Sequence, residues 1–106
     1  MSKYLIKANY NSDGAAGLAA KGGTARRDAV GKMLADVGGS IECFYYAWGD
    51  VDAYLVVDVP SDEAMVGIAL SVNKSGATTI TTTPLLTPEQ VDAAATKAPG
   101  YTPPGS

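Results

Sequence analysis

The pattern of hydrophobic and polar residues predicts four β-strands, the first of them from a period of two and the others from their aromatic, β-branched and threonine content. The first strand runs from Lys3 to Tyr10. The segments 40–48 and 53–60 are dense in aromatic and β-branched residues and flank the turn sequence Gly49-Asp50-Val51-Asp52, which is typical of a β-hairpin. The fourth strand, 77–86, is rich in threonine.

Helical patterns separate these strands. A short alanine-rich helix is expected from Ala15 to Ala20, and Gly22-Gly23 interrupts it. Thr24 is the expected N-cap of a helix that continues to about Val37. Ser61 is expected to cap the next helix. The sequence Thr87-Pro88-Glu89-Gln90 predicts a capping box, and the helix that it opens is expected to run to about Lys97.

The order strand, helix, strand, strand, helix, strand, followed by an extra C-terminal helix, predicts an α+β fold of the ferredoxin-like βαββαβ type. Both crossover helices are expected on one side of an antiparallel four-stranded sheet, which makes a two-layer sandwich. Pro84 predicts that the far end of the fourth strand lies at a sheet edge. The domain is expected to span residues 1–98, and the tail, 99–106, is expected to be extended or disordered because it is rich in proline and glycine.

Strict alternation divides the sheet residues into two faces. The face expected beneath the helices collects Tyr4, Ile6, Ala8, Ile41, Cys43, Tyr45, Ala47, Ala53, Leu55, Val57 and Val59. The other face collects Leu5, Lys7, Glu42, Phe44, Tyr46, Trp48, Tyr54, Val56 and Asp58. Monomers seldom expose so large an apolar surface, so we expect a second copy to cover it in a homodimer. The alternative is a monomer whose C-terminal helix folds back over this face.

Within that second face, the expected interface residues are Leu5, Phe44, Tyr46, Trp48, Tyr54 and Val56. Lys7 and Asp58 are expected to be cross-strand partners there if the first and third strands are neighbours. Such a pair lies either inside the interface or in a cavity between two sheets.

Composition narrows the classes of function. The net charge of −3 argues against nucleic acid as a partner, because nucleic-acid affinity depends on many lysine and arginine contacts to phosphate. The chain has no histidine, which removes histidine-based catalysis and the commonest ligand of transition metals. Its one cysteine, Cys43, cannot form an internal disulfide, and no apolar run is long enough to span a bilayer. We therefore expect a cytoplasmic protein without a membrane partner, a metal or a cofactor.

Several segments together carry a resemblance to a known family. They are Lys3-Tyr4-Leu5-Ile6, Gly22-Gly23 with Arg26-Arg27, Gly38-Gly39, the hairpin from Phe44 to Asp52, and Leu85-Leu86-Thr87-Pro88-Glu89. In this order, from Ser2 to about Ala95, the chain resembles the GYD domain family. The chain departs from the family pattern at Val51, where a tyrosine is expected.

The resemblance implies a dimeric α/β-barrel, in which two ferredoxin-like sheets pack through their open faces. This agrees with the homodimer expected from the pattern of the strands. The family is essentially uncharacterised in activity, and its wider superfamily includes small monooxygenases, haem-associated enzymes and sensor modules. Fold alone therefore does not predict the chemistry.

The segment around Gly22-Gly23, Arg26 and Arg27 is a candidate anion site. A helix N-terminus offers free backbone N–H groups, and guanidinium groups bind carboxylate or phosphate in a bidentate manner. The segment lacks the residue order of a Walker loop. The alternative is a helix break with solvated arginines, one of them paired with an acid such as Asp28 or Asp36.

The hairpin holds the other candidates. Tyr46, Trp48 and Tyr54 either line a pocket for a flat apolar ligand or pack in a core or an interface. Asp50 and Asp52 are better explained as turn residues that accept hydrogen bonds from backbone N–H groups than as a metal or acid–base pair. Cys43 is expected to be an inert core residue.

The leading hypothesis is a small-molecule-binding or interaction module that works as a homo-oligomer. A cavity near Lys7, Arg26, Arg27, Tyr46 and Trp48 would take a small organic anion. The rival hypothesis is a cofactor-independent monooxygenase or isomerase in which Asp52 or Asp58 accepts a proton. A third hypothesis is a structural subunit whose role is assembly.

Overall fold

The computed structural model describes residues 1–105, and within them the strands form one antiparallel sheet that is covered by helices on one side. The strands are β1 (Ser2–Tyr10), β2 (Ser40–Tyr46), β3 (Ala53–Val59) and β4 (Thr78–Leu85). The helices are α1 (Ser12–Lys21), α2 (Gly23–Asp36), α3 (Asp62–Ser75) and α4 (Pro88–Ala95). This arrangement confirms the predicted ferredoxin-like α+β fold.

The strand order across the sheet is β2-β3-β1-β4, so β1 and β3 are the central strands. Tyr4 lies opposite Val57, and Ile6 lies opposite Leu55. Because residues paired in an antiparallel sheet share a face, all four of these side chains enter the core. Strand β4 is at the edge, as Pro84 predicted.

The core lies between this face of the sheet and helices α2 and α3. Val57 and Val59 of β3 are fully buried there, together with Leu34 of α2 and Met65 of α3. Ile68, one turn after Met65 on α3, completes the same apolar stripe. Burial of these side chains holds both helices against one side of the sheet.

Of the three expected helix N-caps, two are confirmed and one is wrong, and α1 begins at Ser12 rather than at Ala15 as expected. The Ser61 hydroxyl accepts a hydrogen bond from the Ala64 N–H at the start of α3, and the capping box of Thr87 and Gln90 opens α4. The prediction of Thr24 as an N-cap is wrong. Gly22 holds that position with φ of 88°, so α2 begins two residues earlier than expected.

Strand β2 contains a β-bulge at Glu42. Ile41 pairs with Val57, but the next paired residue, Cys43, lies opposite Val56, so Glu42 is the extra residue. The bulge shifts the alternation of every β2 residue after Glu42 by one position. The side chain of Glu42 reaches Lys3 Nζ at 3.3 Å.

The bulge reverses part of the predicted face assignment. Phe44 and Tyr46 were expected on the face away from the helices, but they pair with Leu55 and Ala53 on the helix-covered side. Phe44 packs there against the core. Conversely, Cys43 and Tyr45 were expected in the core and lie on the uncovered side.

We call the uncovered side of the sheet the open face. It carries Lys3, Leu5, Lys7, Asn9, Cys43, Tyr45, Tyr54, Val56, Asp58, Thr79, Thr81, Thr83 and Leu85. Its centre, formed by Leu5 and Val56, is apolar and half-buried, whereas Tyr45 and Tyr54 are exposed. The open face is therefore less aromatic than strict alternation predicted.

Helix α4 and the residues after it extend away from the rest of the domain. Every residue from Pro88 to Gly105 is exposed, and α4 ends at Ala95 rather than at Lys97 as expected. The Cα radius of gyration is 17.0 Å, whereas a compact domain of this length has a radius of about 13 Å. The C-terminal helix thus does not fold back over the open face.

Alanine substitutions at two neighbouring aromatic residues test the bulge. Phe44→Ala should lower the free energy of unfolding by about 2 kcal/mol, because it removes a ring that packs against the core. Tyr45→Ala should change it by less than about 0.5 kcal/mol, because that side chain is 69% exposed. Urea unfolding measures both values, and a larger loss for Tyr45→Ala would contradict the observed register.

Candidate functional site

A cavity of about 330 Å³ lies between α1, the first turns of α2, the end of β1 and the start of β4. We call it the helix pocket. Its lining consists of Tyr10, Asp13, Gly14, Gly17, Leu18, Lys21, Gly22, Ala25, Arg26, Ala29, Ala77 and Thr78. Most of these residues are small or apolar, and the charged ones are Asp13, Lys21 and Arg26.

The start of α1 is fixed to the start of β4. The Asn11 N–H donates to the Ala77 carbonyl at 3.0 Å, and the Asn11 side-chain amide donates to the Gly76 carbonyl at 2.6 Å. The Asn11 side-chain oxygen also caps α1 by accepting from the Gly14 N–H at 3.0 Å. A Cβ atom at Gly14 would collide with the Ala77 carbonyl oxygen, so glycine permits this close approach. These contacts hold one wall of the helix pocket.

Arg26 carries a buried nitrogen atom that has no hydrogen-bond partner in the part of the chain described. Its Nε atom is buried, and within residues 1–105 no other buried side-chain nitrogen or oxygen lacks a hydrogen-bond partner. The same residue lines the helix pocket. A buried N–H donor without a partner is costly, and an anion with hydrogen-bond acceptors that reaches the Arg26 guanidinium would satisfy it.

A second cavity, also of about 330 Å³, adjoins the first on the other side of Leu18 and Tyr10. We call it the aromatic groove. It is lined by Tyr10, Ala15, Leu18, Gly23, Tyr46, Ala47, Trp48 and Asp52. Trp48 is fully exposed at its rim. Because Tyr10 and Leu18 line both cavities, the two cavities are neighbours on the side of the domain that carries α1.

Tyr46 is held in the aromatic groove by its hydroxyl group, which donates to the Gly23 carbonyl at 2.9 Å. The rings of Phe44 and Tyr46 lie with centroids 5.0 Å apart in a tilted arrangement. Desolvation by burial raises the pKa of Tyr46, and the charge of Arg26 opposes part of this shift. The phenol is therefore protonated at neutral pH and acts as a donor.

Asp52 links the hairpin turn to the end of β1, and its carboxylate binds a backbone N–H group as expected of a turn residue. Its carboxylate accepts a hydrogen bond from the Tyr10 N–H at 2.9 Å, and its own N–H donates to the Ala8 carbonyl at 3.0 Å. Its carbonyl accepts from the Ala47 N–H at 2.8 Å. Asp52 thus joins the hairpin to β1 and positions Tyr10 between the two cavities.

The remaining predicted site residues lie elsewhere. Arg27 is exposed on α2 and pairs with Asp28 at 3.3 Å. This is the ion pair that the sequence offered as the alternative to an anion site. Asp58 lies on the open face and is paired with Lys3 at 3.0 Å. This hydrogen bond raises the pKa of Lys3. The predicted Lys7–Asp58 pair is wrong, because Lys7 lies opposite Tyr54 in the register.

The structure therefore brings Arg26, Tyr46 and Trp48 to the helix side and leaves Lys7 on the open face. The sequence interpretation missed Tyr10, which separates the two cavities. Tyr10 is the last residue of the core-facing stripe of β1, and this position indicates that its side chain lies on the helix side of the sheet. The role of Leu18 depends on how α1 and α2 meet, which the pattern of residues does not show.

Within residues 1–105 no three His, Cys, Asp or Glu side chains are grouped so that they could hold a metal ion. In the same range, no helix has the length and apolar character needed to cross a bilayer.

The fold and the paired cavities define a ferredoxin-like α+β domain with a concave surface between its helices and the end of its sheet. Over residues 4–95 the sequence matches the model of the GYD domain family, and the chain belongs to that family. It matches no protein of curated function and no solved structure.

Replacement of Asp52 tests its structural role. Asp52→Ala should lower the free energy of unfolding by about 1–2 kcal/mol, because the Tyr10 N–H loses a charged acceptor. Asp50→Ala, a matched change in the same exposed turn, should cost less than about 0.5 kcal/mol. Urea unfolding of both variants measures the difference, and equal losses would show that the Asp52 contact does not stabilise the turn.

Proposed function

We propose that this GYD domain is a homodimeric module that binds a small organic anion in the helix pocket, with Arg26 as the residue that holds the anionic group. The observation that carries the proposal is the buried Arg26 Nε without a hydrogen-bond partner, beside a cavity of about 330 Å³. Cavities of this size fit small-molecule ligands.

The charges of the helix pocket favour a ligand with a single anionic group. Lys21 and Arg26 contribute two positive charges to the lining, and Asp13 contributes one negative charge. The side chains of Leu18, Ala25 and Ala29 form an apolar surface beside them. A carboxylate or phosphate on a compact apolar body therefore complements the pocket in both charge and polarity.

No observation favours the enzymatic hypothesis to the same degree. Asp52 and Asp58, the expected proton acceptors, both have partners: Asp52 accepts from the Tyr10 N–H, and Asp58 pairs with Lys3. A general base must have a lone pair within reach of the substrate. In this fold both carboxylates hold strands together instead.

The adjacent arginines provide a matched test of ligand binding. Benzoate is titrated by calorimetry, with benzamide as its neutral counterpart. Arg26→Gln should weaken benzoate binding by about tenfold or more, because it removes a charged hydrogen-bond donor. Arg27→Gln, which alters an exposed arginine paired with Asp28, should change it by less than about twofold.

Benzamide should bind weakly to all three proteins. Inorganic phosphate, titrated in the same way, shows whether the pocket accepts anions without an apolar body. Equal benzoate affinity of the two arginine variants would refute the assignment of Arg26. Absence of both benzoate and phosphate binding to the unaltered protein would refute an anion site in the helix pocket.

The open face supports the homodimer. Leu5 and Val56 form an apolar centre, and Tyr45 and Tyr54 lie beside it with exposed fractions of 69% and 39%. The accessible surface of the chain is 7012 Å². A compact monomer of 10.8 kDa exposes about 5,500 Å². The C-terminal part of the chain, in which every residue from Pro88 to Gly105 is exposed, contributes to this excess, so the dimer proposal depends on the apolar centre of the open face.

Two valine substitutions test the dimer. Val56→Glu puts a charge at the centre of the open face and should convert the dimer to a monomer, since an unpaired charge in an interface is unfavourable. Val66→Glu alters an exposed valine on α3 and should leave the dimer intact. Sedimentation equilibrium gives the masses, and circular dichroism checks folding. A dimer that survives Val56→Glu would exclude the open face as the interface.

A further inference from the structure

We infer that the aromatic groove binds the proline-rich C-terminal segment, residues 98–105, of a second copy of this chain. The inference rests on the proposed homodimer and adds a second, reciprocal contact to it. The helix pocket is left free for its ligand, because the segment occupies the groove on the other side of Tyr10 and Leu18.

The groove has the chemistry of a site for an extended proline-rich peptide. Tyr10, Tyr46 and Trp48 line it, and Trp48 is fully exposed at the rim. Grooves built from aromatic rings bind segments in the polyproline II conformation, because the flat rings pack against proline rings. Such segments lose little conformational entropy when they bind.

The C-terminal segment has the complementary chemistry. It contains Pro99, Pro103 and Pro104, together with Tyr101, which is 78% exposed. No residue from Thr96 to Gly105 is even half-buried in its own subunit. The segment therefore presents apolar rings to solvent without a partner in the described chain.

The position of the segment favours the groove of a second copy over its own. Leu85, the last residue of β4, lies opposite Lys3 at the start of β1, whereas Tyr10 is at the other end of β1. Nine residues of strand separate these ends by roughly 30 Å. The chain leaves the sheet at the end opposite to the groove, and its longest dimension reaches 58 Å.

A two-fold axis between the open faces and perpendicular to the strands reverses the strand direction in the second copy. The C-terminal segment of that copy then leaves its sheet at the end where the first copy has its groove, and the exchange is mutual.

Trp48 is the one tryptophan of the chain, so its fluorescence reports on the groove directly. The full chain should show blue-shifted emission at high concentration and a red shift on dilution, because dilution releases the segment of the second copy. A chain that ends at Lys97 should emit at the red-shifted wavelength at all concentrations. Circular dichroism verifies that the shortened chain is folded.

A synthetic peptide of residues 97–106 added to the shortened chain should restore the blue shift in a saturable manner. The same peptide with Pro99, Pro103 and Pro104 replaced by alanine should bind at least about tenfold more weakly, because it loses the ring contacts. Tyr46→Ala in the shortened chain should reduce the peptide-induced shift, whereas Val66→Glu should not.

Three outcomes would overturn the inference. They are equal emission of the full and shortened chains at high concentration, a blue shift of the full chain that does not change on dilution, and a peptide that leaves Trp48 unaffected. The second outcome would mean that the segment binds the groove of its own subunit. Failure of the open-face dimer gives a different result. Peptide binding to the shortened chain does not require a second subunit, and the comparison of Val56→Glu with Val66→Glu does not require the C-terminal segment.

Discussion

The pairing of β1 with β3 is the interaction on which the rest of the structure depends. These central strands place Tyr4, Ile6 and Leu55 on one side, where α2 and α3 cover them. Both crossover connections cover that same side, so the other side of the same strands has no layer of its own. Leu5 and Val56 lie at the centre of this uncovered side, and the proposed dimer follows from their position.

The strands and their order along the chain could be predicted from the sequence because they depend on local patterns and turns. The faces of β2 could not. A bulge adds one residue without changing the types of residue on either side of it. Strict alternation continued beyond Glu42 therefore assigns Phe44 and Tyr45 to the wrong faces of the sheet. The free energy that decides the register comes from the packing of Phe44 against the core, which is a tertiary interaction.

The candidate site was predictable to a similar extent. Arg26 and Tyr46 were recognised from their residue types and neighbours, and the structure places both on the helix side. Lys7 was grouped with them because the sequence gives no distance between a strand residue and a helix residue. The predicted ion pair of Asp58 has the wrong lysine, because only the register of β1 against β3 shows that Asp58 lies opposite Lys3.

The division of the first crossover into two helices explains why cavities form at this end of the domain. Gly22, with φ of 88°, ends α1 by donating its N–H to the Leu18 carbonyl at 2.7 Å, and α2 then starts in a new direction. One continuous helix would pack along the sheet over its whole length. With the break, Leu18 of α1, Arg26 of α2 and Tyr10 of β1 line one cavity. A glycine that looks like a simple interruption in the sequence thus creates the concave surface on which both binding proposals depend.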